Sequence, residues 1–293
     1  MHETAIRVCL FVGTSNGFAC CHGWTGDWAR KRFSCDSWWG RLHSEILERF
    51  LDLAGGADAP IVVIPTAGGG EHYDQYYPGL RLFKAAGATI LTVLHTTDPA
   101  VADTEAFVQP LLEARGVWFP GGRQWRLADA YLGTKVHDEL WALLGRGGVI
   151  GGSSAGATIQ GSYLARGDTA TNTVMMGDHE VGLGFLRNVA IDQHLLRRNR
   201  QFDLLEVITA RPELLGIGLD ENTAIIVQGD EFEVIGASYV VVYDAERQLD
   251  SGGQFYFLAP GDRYNLKARE ATRPRQSVSP IDRVVKEPWT PRR

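Results

Sequence analysis

Apolar runs alternate with amphipathic stretches along most of the chain from residue 44 onward. The pattern predicts strands at 61–64, 89–94, 116–119 and 148–150, and helices at 45–53, 73–86, 103–114 and 124–144. An apolar run without polar interruption, such as 61–64, is typical of a strand buried on both faces of a parallel sheet. Helices of this length between strands indicate right-handed crossovers, so we expect an α/β protein with a doubly wound, mostly parallel sheet.

The pattern changes after residue 210, where short apolar runs follow one another closely. The runs at 217–219, 224–227, 233–235 and 239–242 predict an added antiparallel β region. Residues 1–40 show no clear periodicity and no clear first strand, whereas the tail from about 272 is rich in Pro and Arg and is predicted to be extended or disordered. We therefore divide the chain into an atypical segment 1–40, a central domain 41–245 and a C-terminal extension 246–293.

The composition is that of an ordinary globular protein, and it excludes several functional classes. The 293 residues are 44% hydrophobic and 22% charged, with a formal net charge of −6. This balance gives no electrostatic footprint for nucleic acid or for an anionic membrane. No run approaches the roughly 18–20 apolar residues of a membrane span, and the run near 6–13 is shorter than a signal-peptide core. We therefore expect a cytoplasmic protein.

All the cysteines of the chain lie within its first 35 residues. They are Cys9, Cys20, Cys21 and Cys35, and His22 stands beside them. This grouping raises a zinc site as an alternative, but no C-x-x-C pair is present and the spacing matches no common metal site. We expect free thiols, and neither a metal nor a cofactor.

The segment 152–156, Gly-Ser-Ser-Ala-Gly, fits the pattern G-x-S-x-G between a predicted strand and a predicted short helix. In a nucleophile elbow, small residues on both sides permit a strained turn that exposes the serine hydroxyl. The pattern predicts Ser154 as a nucleophile, with the N–H of Ala155 at a helix N-terminus to stabilise an oxyanion. A glycine- and serine-rich turn that caps a helix or binds phosphate is the alternative interpretation.

A serine nucleophile needs a general base, and His179 and His194 are the histidines that follow Ser154. An α/β-hydrolase carries its catalytic histidine far downstream, after the late strands. Here the last 99 residues contain no histidine, which counts against an esterase or lipase of that fold. His194 ends the segment 191–194, as expected of a side chain presented from a strand end, and is the predicted base. A purely structural histidine is the alternative.

Four ordered motifs of the chain resemble those of one family. They lie at 120–124 (Pro-Gly-Gly-Arg-Gln), 151–157 (Gly-Gly-Ser-Ser-Ala-Gly-Ala), 191–194 (Ile-Asp-Gln-His) and 216–224 (Gly-Ile-Gly-Leu-Asp-Glu-Asn-Thr-Ala). They are similar to motifs of the serine peptidase family that contains cyanophycinase and aspartyl dipeptidase. The resemblance covers about residues 45–243. It implies a class I glutamine amidotransferase-like, flavodoxin-like fold and makes 41–245 a catalytic domain.

The resemblance implies a role for each matched residue of the reaction centre. Ser154 would attack the scissile carbonyl, and His194 would take its proton and return it to the leaving amine. The oxyanion would lie between the backbone N–H groups of Gly122 and Ala155, which come from two adjacent strand ends.

The resemblance places the acid that orients His194 shortly after the nucleophile's helix, which indicates Asp168. Asp178 and Glu180 remain alternatives, and an ordinary turn aspartate is the non-catalytic interpretation of Asp168. Glu221 is predicted either to face the pocket or to take part in a turn.

The resemblance also implies a polar substrate pocket around the histidine. The matching positions are Gln124, Asp192, Gln193, Arg198 and Arg200. Asp192 and Gln193 would hold a substrate amino group, and either arginine would bind a carboxylate through paired hydrogen bonds. A solvated basic helix face is the alternative for the arginines. Asp203 stands where cyanophycinase has a third arginine, and such a charge reversal changes specificity.

These residues together predict a serine-type exopeptidase. The expected substrate is β-aspartyl-arginine, as in cyanophycin, or a related acidic or isopeptide-linked dipeptide. Two alternatives stay open, a carboxylester hydrolase of α/β-hydrolase type and a non-catalytic binding protein of the same fold. We further expect a homodimer and no partner among nucleic acids or membranes.

Overall fold

The computed structural model describes residues 7–12, 36–246 and 253–274, with side chains described from residue 45 onward. The strands are β1 Arg7–Val12, β2 Ile61–Val63, β3 Leu91–Val93, β4 Gly116–Phe119, β5 Val149–Ser153, β6 Gly161–Tyr163, β7 Leu186–Gln193, β8 Leu215–Leu219, β9 Thr223–Gln228, β10 Glu231–Gly236, β11 Val240–Asp244, β12 Phe255–Leu258, β13 Arg263–Asn265 and β14 Glu270–Thr272. The helices are α1 Asp36–Ala54, α2 Leu80–Ala85, α3 Pro99–Ala102, α4 Glu105–Glu113, α5 Trp125–Tyr131, α6 Lys135–Gly145, α7 Ala155–Thr158 and α8 Leu204–Ala210, with a 3-10 helix at Pro65–Gly68.

Within the described residues, the first sheet has nine strands in the order β14-β13-β10-β9-β1-β5-β4-β2-β3. The strands from β1 to β3 in this order run parallel, and helices connect them along the chain. From β9 outward the pairing is antiparallel. The prediction of an α/β fold with a parallel sheet is therefore confirmed.

A second sheet contains five strands of the described chain, in the order β12-β11-β8-β7-β6. β6, β7 and β8 run parallel, whereas β11 and β12 continue antiparallel. The sequence analysis placed the strands after residue 210 in one antiparallel extension. They are instead shared between the sheets, because β8 pairs with β7 and β11 while β9 pairs with β1 and β10.

The segment 1–40 contains a strand that the sequence analysis did not predict. β1 lies between β5 and β9, with Val8 opposite Ile150 and Phe11 opposite Ser153. A short strand of this kind is recognised by its partners, and both partners lie more than a hundred residues away in the sequence. The side chains of the four cysteines and of His22 lie outside the described part of the chain.

Two predicted helices are shorter or divided in the structure. The stretch 73–86 is helical only over α2, after the turn residues Pro78 and Gly79. The stretch 124–144 forms α5 and α6, which separate at Gly133, where φ is 70°. Glycine adopts this left-handed conformation without a steric cost, and the helix ends there.

The described part of the C-terminal extension adds strands to both sheets. β12 pairs with β11 of the second sheet, and β13 pairs with β10 of the first. Residues 275–293, which include most of the predicted tail, lie outside the described residues. No helix in the described ranges combines the length and the apolar character that a membrane crossing requires.

Replacing Gly156 by Ala is expected to destabilise the fold by about 1–3 kcal/mol, the usual cost of overpacking a core. The added Cβ would lie 1.9 Å from the carbonyl oxygen of Phe119, so α7 would have to move away from β4. Urea unfolding measures the loss. Gly145→Ala is the matched control, because a Cβ there meets nothing within 4 Å. A similar loss of stability in both variants would contradict this close packing.

Candidate active site

Ser154 lies in a strained turn between β5 and α7. Its backbone has φ 54° and ψ −114°, a combination that a non-glycine residue adopts only where the surrounding structure enforces it. The flanking glycines permit the turn, since a Cβ on Gly152 would lie 2.2 Å from the carbonyl oxygen of Gly156. The strand, turn and helix therefore form the elbow that the sequence pattern predicts.

Ser154 and His194 follow strands of different sheets, and their side chains meet. Ser154 Oγ lies 3.0 Å from His194 Nε2. His194 follows directly after β7, has φ 57°, and is buried with 2% of its surface exposed. This contact brings together the two residues that the sequence analysis assigned as nucleophile and base.

The carboxylate that contacts His194 belongs to Glu221. Glu221 Oε1 lies 3.1 Å from His194 Nδ1, and the glutamate side chain is only 11% exposed. Glu221 comes shortly after β8, which runs parallel to β7 and pairs with it directly. Because neighbouring parallel strands end at the same edge, their following residues meet there.

Asp168 does not contact His194, and this expectation is corrected. Its carboxylate accepts hydrogen bonds from the backbone N–H groups of Ala170 and Thr171, at 3.0 and 2.6 Å. The side chain therefore stabilises its own turn, which was the non-catalytic interpretation.

The two alternative acids also lie elsewhere. Asp178 contacts Thr169 and His179, and Glu180 contacts Tyr163 and Arg211. The sequence signal that could have indicated Glu221 is its position just after an apolar strand; that this strand pairs with the one before His194 is known from the structure.

The electrostatic surroundings keep His194 neutral. Burial lowers the pKa of His194 to about 3, and the positive charges of Arg198 and Arg200 act in the same direction. Burial also raises the pKa of Glu221, whereas Arg197 and Arg198 oppose that rise. A neutral imidazole with a free lone pair can accept the serine proton at neutral pH.

The loop after β4 lies against the nucleophile. A Cβ on Gly121 would lie 3.3 Å from the Ser154 Cβ. Gly122 has φ 149°, and a Cβ there would lie 2.0 Å from the carbonyl oxygen of Ala67. Within the described residues, no protein acceptor takes the N–H groups of Gly122 and Ala155. An N–H group without a protein acceptor can donate to an oxyanion, and the expectation for Gly122 and Ala155 stays a prediction.

Gln124 serves the protein's own structure. It is 1% exposed, and its Nε2 donates to the carbonyl oxygens of Ala165 and Arg166, at 2.8 and 2.9 Å. The expectation that Gln124 binds substrate is corrected, because its amide nitrogen is bonded to these two carbonyl oxygens and holds the chain after β6 against α5.

Asp192 is also engaged within the protein. It has no exposed surface, and Arg166 binds both of its oxygens, with Nε at 2.8 Å and Nη2 at 3.0 Å. The expectation that Asp192 holds a substrate amino group is corrected, because Arg166 occupies both of its oxygens. The neighbouring Gln193 is 6% exposed, and its Oε1 has no hydrogen-bond partner among the described residues.

The two arginines of the predicted pocket lie in the segment after His194. Arg198 is exposed, whereas Arg200 is half-buried and donates from Nη1 to the carbonyl oxygen of Gln193, at 3.3 Å. The negative charge of Asp203 is partly compensated, because its carboxylate contacts the guanidinium of Arg166. Arg166 is the residue near the site that the sequence analysis missed.

No group of three or more His, Cys, Asp or Glu side chains in the described ranges is placed to hold a metal ion. The site holds three groups in contact with one another, the Ser154 hydroxyl, the His194 imidazole and the Glu221 carboxylate. They can act as nucleophile, base and orienting group.

Comparison with known sequences identifies a family and several relatives. Residues 40–235 match the model of peptidase family S51. Cyanophycinase of Geminocystis herdmanii (strain PCC 6308) is 31% identical, over 77% of this chain and 89% of the relative. Cyanophycinase of Nostoc sp. (strain PCC 7120) is 31% identical over 77% and 81%, and that of Synechococcus elongatus is 30% identical over 77% and 76%.

Solved structures show the same fold. A peptidase from an acI-B1 Actinobacterium superimposes with a TM-score of 0.63 at 20% identity, over 89% of this chain and 98% of the other. A putative peptidase E protein from Listeria monocytogenes gives 0.52 at 16% identity, over 80% of this chain and the whole of the other.

Glu221→Ala is expected to slow the labelling of Ser154 by a fluorophosphonate by about 100-fold or more, the scale on which triad carboxylates act. The imidazole would lose the group that orients it. Asp168→Ala is the control, and its labelling rate should stay close to that of the wild type. Slow labelling of Asp168→Ala together with normal labelling of Glu221→Ala would overturn the assignment.

Labelling of Ser154 is also expected to persist in mildly acidic solution. Since burial lowers the pKa of His194 to about 3, the imidazole stays neutral as the pH falls through 6.5 and becomes protonated only further down. The rate measured between pH 4 and 8 should show its acid midpoint well below 6.5, with circular dichroism recorded in parallel to exclude unfolding. A midpoint at or above 6.5 in folded protein would contradict this environment.

Proposed function

The chain belongs to peptidase family S51 and is a serine-type peptidase, and from this premise we propose that it is an exopeptidase acting through an acyl-enzyme on Ser154. Its proposed substrate is β-aspartyl-arginine, as in cyanophycin, or a related acidic or isopeptide-linked dipeptide. The observation that carries the proposal is the chain of contacts from Ser154 Oγ to His194 Nε2, at 3.0 Å, and from His194 Nδ1 to Glu221, at 3.1 Å.

In the first half of the proposed reaction, His194 Nε2 takes the hydroxyl proton of Ser154 while Oγ bonds to the scissile carbonyl carbon. Glu221 accepts a hydrogen bond from Nδ1 and stabilises the imidazolium that forms. When the tetrahedral intermediate collapses, the C–N bond breaks and His194 gives its proton to the departing amine. The acyl group remains on Ser154 as an ester.

In the second half, a water molecule gives a proton to His194 and attacks the ester carbonyl. Collapse of this second intermediate returns the proton to Ser154 and releases the acid product. In both halves, the N–H groups of Gly122 and Ala155 donate to the developing oxyanion. Because these donors are already in place, they stabilise that charge without reorganisation.

The substrate class is proposed from two lines of support. Relatives about one-third identical to this chain carry the name cyanophycinase. Arg198 donates its backbone N–H to the carbonyl oxygen of His194 at 3.0 Å, and Arg200 Nη1 donates to the carbonyl oxygen of Gln193 at 3.3 Å. A carboxylate held by these arginines would therefore lie close to the scissile bond. Such closeness suits a dipeptide or a chain end better than the middle of a long chain.

The proposal predicts that the wild-type protein releases arginine and aspartate from β-Asp-Arg, and soluble product from insoluble cyanophycin. Ser154→Ala should abolish this release without unfolding the protein, because the attacking oxygen is removed. Amino acid analysis of the supernatant, with circular dichroism as the check on folding, measures both expectations.

Other outcomes would point to other functions. Hydrolysis of p-nitrophenyl esters with no hydrolysis of any peptide would favour a carboxylester hydrolase. A Ser154 that no fluorophosphonate labels would favour a binding protein without turnover. Labelling without release from β-Asp-Arg would keep the mechanism and replace the substrate, and a dipeptide library would then identify it.

A further inference from the structure

Arg166 forms a buried ionic bridge between two segments that flank the base. Its guanidinium binds both oxygens of Asp192, two residues before His194, and also contacts Asp203 at the start of α8. The side chains of Arg166 and Asp192 are 3% and 1% exposed, and that of Asp203 is 36% exposed. We call Arg166, Asp192 and Asp203 the arginine bridge.

The side chain of Asp203 does not cap the helix that it begins, and it contacts Arg166. It occupies the N-cap position of α8, where an aspartate usually accepts a hydrogen bond from the backbone of the first turn. Its side chain makes no such bond. The carboxylate lies against Arg166 instead, so its position is set by the bridge.

Arg166 itself is held at a fixed place by its backbone. It has φ 56°, a left-handed conformation that is unfavourable for a residue with a side chain. Its N–H donates to the carbonyl oxygen of Met175, and its own carbonyl accepts from Gln124. Its Nη1 donates to the carbonyl oxygen of Asn172 at 2.8 Å. The guanidinium therefore has little freedom to follow its partners.

The segment between the two acids of the bridge carries the proposed substrate-binding arginines. Hydrogen bonds tie Arg200 to the bridge: the N–H of Asp203 donates to its carbonyl oxygen at 3.0 Å, and its Nη1 donates to the carbonyl oxygen of Gln193, next to Asp192, at 3.3 Å. The pKa of Arg200 responds to the same groups, since burial and Arg166 lower it while Asp192 and Asp203 oppose that change. The charges of Asp192 and Asp203 therefore act on two guanidinium groups, those of Arg166 and Arg200. Without the carboxylate of Asp203, Arg166 and Arg200 would repel each other with less compensation.

Asp192 is closed to a substrate cation, because Arg166 occupies both of its oxygens, and the charge of Asp203 is partly compensated by its contact with Arg166. The segment after His194 therefore presents mainly positive charge to a substrate, from Arg198 and Arg200. A carboxylate beside the scissile bond is the group that such a surface recognises.

We propose that Arg166 and Asp203 are positioning residues that determine specificity, by holding the segment 194–203 so that Arg200 faces a substrate carboxylate. This inference rests on the proposed function. Asp203 then affects substrate binding through its contact with Arg166 and does not touch the substrate itself.

The test measures binding separately from turnover, in protein that carries Ser154→Ala. Isothermal titration calorimetry with β-Asp-Arg and with its C-terminal amide should show about tenfold weaker binding of the amide, the effect of one charge-assisted hydrogen bond. Adding Asp203→Ala should weaken the binding of β-Asp-Arg about tenfold and reduce the difference between the two ligands, because Arg200 is displaced.

Conservative and matched variants separate positioning from mere stability. Asp203→Glu keeps a carboxylate for Arg166 and should retain most of the affinity. Glu206→Ala removes an exposed acid from the same first turn of α8 and should change nothing. In the otherwise wild-type chain, Asp203→Ala should raise KM about tenfold while the fluorophosphonate labelling of Ser154 changes less than about twofold.

Several results would overturn the inference. These are equal binding of the acid and the amide, unchanged affinity in Asp203→Ala, an equal effect of Glu206→Ala, or parallel loss of labelling and affinity. Failure of the proposed function is a separate result, seen as absent labelling of Ser154 in the wild-type chain. Even if Ser154 is not labelled, the calorimetric comparison of the two ligands tests the role of the arginine bridge. A protein that binds neither ligand would contradict the inference.

Discussion

The hydrogen bond between Ser154 and His194 joins the two sheets, and the rest of the catalytic arrangement depends on it. Ser154 follows β5 of the first sheet, whereas His194 and Glu221 follow β7 and β8 of the second. Residues at strand ends meet in this way only if the carboxyl edges of both sheets face each other. One apolar cluster containing residues of both sheets, among them Ile150 and Ile217, holds the edges in place.

The same packing sustains unfavourable local conformations at the site. Ser154, His194 and Asn222, which follows Glu221, all have φ between 54° and 58°. Such conformations cost on the order of 1–3 kcal/mol each and persist where the surroundings enforce them. Here they occur where the chain leaves β5, β7 and β8, at Ser154, at His194 and next to Glu221. The strain and the alignment of the catalytic groups are thus two aspects of one arrangement.

The buried charged groups around the site mainly form hydrogen bonds within the protein. Asp220 accepts from the N–H groups of Leu196 and Arg197 and from the hydroxyl of Ser238, and so ties together the loops around His194. Arg166 does the same on the other side through Asp192. A carboxylate without such partners would be costly at this depth, and Asp192, the acid that the sequence analysis gave to the substrate, is found paired with Arg166.

The sequence by itself determined the elements whose signals are local. Uninterrupted apolar runs identified the parallel strands, and the glycines around Ser154 identified the elbow, because a tight turn requires small residues wherever it occurs. Only the tertiary structure decided which distant groups meet. β1 was recognisable through its partners β5 and β9, Glu221 lies beside His194 because β7 and β8 pair, and Asp192 is closed to substrate because Arg166 reaches it from another loop. Contacts between residues far apart in the chain leave no periodic trace in the sequence, since they depend on how the sheets pack.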